Sequence, residues 1–105
     1  MYNRSRDVAE LQAHFDDFRI VVATQIKELV ARGPITDTTE WYLLKYFRRI
    51  HKKVVVSTSA REVENPIRAL IRFYVDSIDE RPELEQRCKK VLQSHKRALR
   101  LERRI

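Results

Sequence analysis

Three histidines, one cysteine and a short aromatic–basic run are the residues of this 105-residue chain whose types could carry chemistry. His14, His51 and His95 fall on three separate segments, and none stands in a Glu-x-x-His or His-x-x-x-His spacing. A metal site needs such ligands to converge with carboxylates, so the three read as non-ligating. His51 and His95 lie on apolar faces, where a hydrogen-bonded core histidine is the commoner outcome. Cys88 stands alone, which excludes an intramolecular disulfide and a thiolate zinc site. Its place on an apolar stripe marks it as a small hydrophobe rather than a nucleophile. The only glycine, Gly33, cannot build a phosphate cradle. No Ser-His-Asp or paired-carboxylate arrangement follows from spacing. The expectation is a protein that is not an enzyme and holds no metal or cofactor.

Binding is the remaining chemistry. Trp41, Tyr42 and Tyr46 interleave with Lys45, Arg48 and Arg49. Basic plus aromatic is the vocabulary of nucleic-acid surfaces. It is equally that of protein interfaces, where Trp, Tyr and Arg are enriched. It also fits a Trp packed under a neighbouring helix beside solvated lysines. The formal net charge is +7, and it gathers towards the C-terminus: from Arg87 onward eight basic side chains face one acid, Glu102. Lys45, Arg48, Arg49 and Lys52 make one candidate basic surface, and Lys89, Lys90, Lys96, Arg97 and Arg100 a second. Such a field attracts nucleic acid, acidic peptides or anionic lipid, and a merely solubilising helix face has the same composition.

The elements that must position these residues are helical. One glycine and three prolines are too few for an all-β fold, which needs a turn every 8–12 residues or so. Val8, Leu11, Phe15, Phe18, Val22 and Leu29 recur at three- and four-residue steps, with Gln25 the one polar interruption. Ile26 and Val30 widen that stripe to a bundle face. Gly33-Pro34 stops the first helix. Asp37 and Glu40 have capping-box spacing for a second, with Leu43, Leu44, Phe47, Ile50 and Val54 inward. Ser57–Ser59 reads as a break, and Ser59 with Glu62 as a cap for one short turn. Asn65-Pro66 opens a third helix, with Ile67, Leu70, Ile71, Tyr74 and Ile78 as its buried stripe. Arg81-Pro82 opens a fourth, with Leu84, Cys88, Val91, Leu92, His95 and Leu99 inward.

No apolar run approaches the roughly 18 residues that span a bilayer, and the first fifteen residues carry no signal-peptide core, so no membrane partner is expected. The single cysteine fits a reducing compartment, which makes the expected location intracellular, cytoplasmic or nuclear.

Leu43-Leu44-Lys45-Tyr46-Phe47-Arg48-Arg49-Ile50, Val55-Val56-Ser57-Thr58, the Ile67, Ile71 and Tyr74 spacing, and the run from Glu83 to Lys96 together carry a resemblance. Over residues 37–99 the chain resembles the N-terminal domain of transcription elongation factor S-II. That family includes the Elongin A and Mediator versions and the integrase-binding domain of lens epithelium-derived growth factor. His95 stands where the family usually has Trp, and the central Ile-Gly pair is missing. The integrase-binding branch lacks those marks too, so the resemblance runs closer to that branch. The resemblance implies a compact right-handed helical bundle that binds short disordered peptides of transcription and chromatin factors through loops at one end. By position, Ile35, Asp37, Ile78 and Asp79 would then be the partner-binding residues.

The expected architecture is all-α: a single helical-bundle domain over residues 1–105, with four long helices and room for a short fifth. The expected function is non-catalytic protein–protein interaction, as an adaptor in transcription, with a protein or acidic peptide as partner. The alternative is nucleic-acid binding through the basic second and last helices. Phosphate binding falls steeply with salt, whereas an apolar peptide groove does not. A homodimer built on the first helix is a third reading.

Overall fold

Apolar residues at three- and four-residue spacing fold into four α-helices in a computed structural model that describes residues 4–78 and 81–104. They are α1 (Arg4–Ala31), α2 (Thr39–Val54), α3 (Glu64–Ser77) and α4 (Pro82–Arg104), with one 3₁₀ turn (Ala60–Val63) leading into α3. No strand occurs among the described residues, and the fold is an all-α bundle. None of the described helices is long and apolar enough to cross a membrane. α1 is the spine: it packs along α2 on one side and α4 on the other. α3 lies on α2 and meets α4 only lightly. α2 and α4 therefore stand at opposite corners, with their solvent faces turned apart.

Helix ends show where local signals prevail and where they do not. Gly33 ends α1 at φ 60°, with its N–H on the Val30 carbonyl at 3.0 Å. Asp37 is also left-handed, at φ 67°, a conformation Asp tolerates better than most residues. That geometry moves the predicted cap by one residue. An N-cap needs extended backbone, which Thr38 has, and the Thr38 hydroxyl accepts the Trp41 N–H at 3.3 Å. Glu40 leaves the predicted box and pairs with Arg32 at 2.9 Å and Arg81 at 3.5 Å.

Asn65-Pro66 does not open α3. The 3₁₀ turn runs straight into helix at Glu64, and Pro66 is still in the first turn, where its missing N–H forfeits no bond. Ser59 bonds the Glu62 carboxylate at 3.2 Å and caps no backbone N–H. The turn is capped from α4 instead. Glu102 accepts the N–H groups of Ala60 at 2.6 Å and Arg61 at 3.2 Å. The lone acid of the basic C-terminal run is thus a tertiary cap.

Phe15, Phe18, Val22 and Leu29 interlock with Leu43, Phe47 and Ile50 of α2, Leu70 of α3 and Leu84, Cys88 and Val91 of α4. Gln25, the polar interruption of the α1 stripe, is buried and accepts from Arg87 of α4 at 2.8 Å. The predicted faces fail at their edges. Val8, Val30 and Ile71 are exposed, and Leu92 and Leu99 are half-buried. Periodicity gives the direction of a face, whereas its width depends on the neighbouring helix. Ile71 and Leu92 stay partly open because α3 and α4 diverge.

Candidate partner-binding surfaces

The loop after α1 and the start of α4 meet at one end of the bundle. Arg32, at the end of α1, pairs with Glu83 of α4 as well as with Glu40, so this end is pinned by charge. A shallow hollow of about 300 Å³ there includes Pro34, Ile35, Thr38 and Arg81. Ile35 is 76% exposed. Asp37 is exposed and accepts the Tyr42 hydroxyl at 3.1 Å, a bond that raises the phenol's pKa. Ile78 needs correction as a contact residue. It caps α3 with its side chain turned into the core, 2% exposed, so it shows a partner little surface beyond its part in the wall of a hollow shared with Tyr74, Val75 and Glu85. A hydrophobe at a helix C-cap packs inward whenever the next helix folds back over it, as α4 does. Asp79 lies outside the described residues.

Cys88 and His95 are structurally committed, whereas His14 is exposed and His51 half-buried. Cys88 is fully buried, and desolvation pushes its thiol up to about 12, so it is held as the thiol. His95 is buried and hydrogen-bonded to the Ala60 carbonyl at 2.8 Å. Among the described residues no three His, Cys, Asp or Glu side chains gather as metal ligands would.

The aromatic–basic run of α2 is tied up within itself. Lys45 Nζ lies 4.0 Å from the centre of the Trp41 ring. Tyr46 stacks on Phe73 of α3 with ring centres 4.7 Å apart, and the Arg49 guanidinium lies 5.4 Å from its ring centre. These are cation–π contacts, and they occupy ring faces that a base would need. Lys45, Arg48, Arg49 and Lys52 are all exposed on α2, as expected. On α4, Lys89 pairs with Glu85 at 2.9 Å. Lys90, Lys96, Arg97 and Arg100 are exposed. Because the two helices stand at opposite corners, the basic groups do not merge into one surface.

Between α2 and α3 lies a groove of about 500 Å³ lined by Arg49, Lys52, Lys53, Val56, Asn65, Pro66 and Ala69. Its floor is apolar: the proline ring, the alanine methyl and Val56, which is 75% exposed. Its walls carry three cations and no acid. Lys52 and Lys53 project here because α2 ends at Val54, and the chain turns through Val55 and Val56 before the 3₁₀ turn. Sequence reasoning singled out Arg49 and Lys52 but missed Val56, Pro66 and Ala69. The available signal was the Val54-Val55-Val56 run, of which only the first valine enters the core. In comparisons with known proteins, no family model, no curated protein and no solved structure matches this chain.

Proposed function

We propose that this protein is a non-catalytic protein-interaction module that takes an acidic peptide segment with an apolar anchor in the α2–α3 groove. One observation carries the reading: the groove has an apolar floor, three cations on its walls and no acid. A large apolar side chain gains about 1.5–3 kcal/mol when fully buried. Carboxylates on either side of such an anchor would meet Arg49, Lys52 and Lys53. The transcription setting belongs to the resemblance with the S-II N-terminal domain and enters the proposal with it. The partner would then be a disordered acidic segment of a transcription or chromatin factor.

Nucleic-acid binding through α2 and α4 is the alternative. Two observations favour the peptide over it: the ring contacts of Lys45 and Arg49, and the separation of the two basic faces. Fluorescence anisotropy tests the choice. The probes are a labelled Asp/Glu-rich peptide with a central Leu or Phe, and labelled DNA of equal charge. The expected result is peptide binding that Val56→Asp abolishes and salt weakens only modestly. DNA binding that ignores Val56→Asp and falls steeply with salt would put the alternative in its place.

A further inference from the structure

The solvent face of α1 carries a second stripe, opposite the one that enters the core. Ala13, Asp17, Ile20, Thr24, Lys27 and Ala31 recur at alternating four- and three-residue steps, and all six are exposed. That spacing is the seam of a helix that pairs with another helix. Its one large hydrophobe, Ile20, is 61% exposed. Between α1 and α4, beside the seam, lies a hollow of about 290 Å³ whose lining includes Ile20, Val21 and Thr24 of α1 and Gln93 and Arg97 of α4. Asp17 and Lys27 have no ion pair among the described residues. They stand about 15 Å apart along the helix axis, so they cannot pair with each other within one chain.

We propose that α1 pairs antiparallel with α1 of a second copy of this chain along this seam, about a two-fold axis at the level of Val22. The order of the seam points to a second copy, because reversed it is its own complement. Asp17 and Lys27, Ile20 and Thr24, and Ala13 and Ala31 are each placed symmetrically about Val22. A two-fold axis there sets Asp17 against Lys27 of the second copy, Ile20 against Thr24 and Ala13 against Ala31, and forms each pair twice. A parallel pairing in register would oppose Asp17 to Asp17 and Lys27 to Lys27, so charge selects the antiparallel one. The alanines let the two backbones approach, and Ile20 of the second copy settles over Thr24 at the hollow. Asp16 and Glu28 lie on opposite flanks of the seam and are engaged by Arg19 and Arg87, so they do not oppose each other across it. The chain carries +7, but α1 holds four basic against five acidic side chains, so the seam is clear of the basic faces of α2 and α4. From Ala13 to Ala31 the seam runs about 27 Å. One helix pair of that length covers less than the roughly 800 Å² per partner of a standard interface, so the dimer is weak and depends on concentration. α1 takes no part in the α2–α3 groove, so the assembly goes beyond the proposed function and stands or falls apart from it.

Sedimentation velocity on the full chain at rising concentration tests the proposal. A monomer–dimer equilibrium is expected. Ile20→Asp is a change at an exposed position, so it should keep the helical circular dichroism of the parent. It should weaken self-association about tenfold or more, as an unpaired carboxylate in a helix seam does. Asp17→Lys leaves the seam with positive charge only, and Lys27→Asp leaves it with negative charge only. Each should weaken self-association about as much, because like charges then face each other. The two variants mixed should associate with one another, and both changes in one chain should restore the homodimer. A part played only in folding of the monomer predicts neither rescue. A parent that stays monomeric at every concentration overturns the proposal, as does a dimer indifferent to Ile20→Asp. Charge variants that stay monomeric when mixed overturn it too, since Asp17 and Lys27 would then not face each other.

Discussion

The imidazole Nε2 of His95 lies 2.8 Å from the carbonyl oxygen of Ala60. A carbonyl only accepts, so Nε2 carries the proton and Nδ1 is bare in the neutral ring. Glu102, two helical turns further along the same face of α4, accepts the N–H of Ala60 at 2.6 Å. Both polar groups of one residue are thus held by α4, which docks the turn that launches α3.

Stability should therefore fall as the pH drops below about 6.5. Burial is the largest influence on His95 and lowers its pKa, with the Ala60 bond, Glu64 and Glu102 pulling partly back. The unfolded chain takes up a proton near the ordinary value of 6.5, while the folded chain still excludes it. The favourable contribution of the neutral ring is whole above 6.5 and is lost as the pH falls through the lower folded value. Glu83, lowered chiefly by Arg32, and Glu85, lowered chiefly by Lys89, lose theirs only below the ordinary carboxylate value of 4.5. His95→Gln keeps a donor for Ala60 and should flatten the upper limb of urea-derived stability against pH. A slope just below pH 6.5 that survives His95→Gln would show that another group is responsible.

Glu102→Ala should cost about 0.5–2 kcal/mol, the usual worth of an N-cap, although the residue lies some forty positions away from the helix it caps. Glu102→Gln keeps an acceptor and should lose less. Thermal melts of both variants measure the difference, and an unchanged melt for Glu102→Ala would remove the cap from the account.

The helices were legible because their cores obey local spacing. Phe18, Phe47 and Leu70 could each be placed on an inward face from their neighbours three and four residues away. Gly33 and Pro82 marked ends that the chain respects, since backbone conformation at a turn is a local matter. Glu102 was not legible as a cap, nor Gln25 as the partner of Arg87, because both depend on how α4 is registered against distant segments. Ile78 was misplaced for the same reason: whether a hydrophobe at a helix end faces a partner or the core depends on where the next helix goes. The α2–α3 groove was hidden most completely. Its floor comes from Val56, Pro66 and Ala69 on two elements, none of which signals binding alone.

Core truncations should separate full burial from half burial. Phe18, Phe47 and Leu70, on three different helices, are fully buried, and each change to Ala should cost about 2–5 kcal/mol. Leu92 faces the open α3–α4 cleft and should cost less than any of them. Urea denaturation gives the ranking. Leu92→Ala matching Phe47→Ala would mean that the cleft is closed in solution.

Cys88 should resist thiol reagents in the native protein. The thiolate is the reactive form, and a buried thiol near 12 is almost wholly protonated at neutral pH. Ellman's reagent should report no fast-reacting thiol until denaturant is added, when one should appear. Prompt labelling of the folded chain would show that α4 opens locally.

Kinetics should divide the α2–α3 groove into its two parts. Lys52 and Lys53 stand in or beside the last turn of α2, where their charge also complements the helix dipole. Neutral Lys52→Gln/Lys53→Gln changes therefore probe binding more cleanly than reversals do. Exposed charges act over about 8–10 Å at physiological salt, so they guide an acidic segment towards the groove more than they hold it. The paired glutamines should slow association in stopped-flow mixing with the labelled acidic peptide and leave dissociation nearly unchanged. Val56 offers its side chain to the anchor itself, and Val56→Ala should speed dissociation while association stays the same. Lys89→Gln/Lys90→Gln, on the far corner of the bundle, should alter neither beyond a small loss in association rate. If the glutamines speed dissociation and Val56→Ala does nothing, the peptide is held by charge alone. The apolar floor would then have no part in binding.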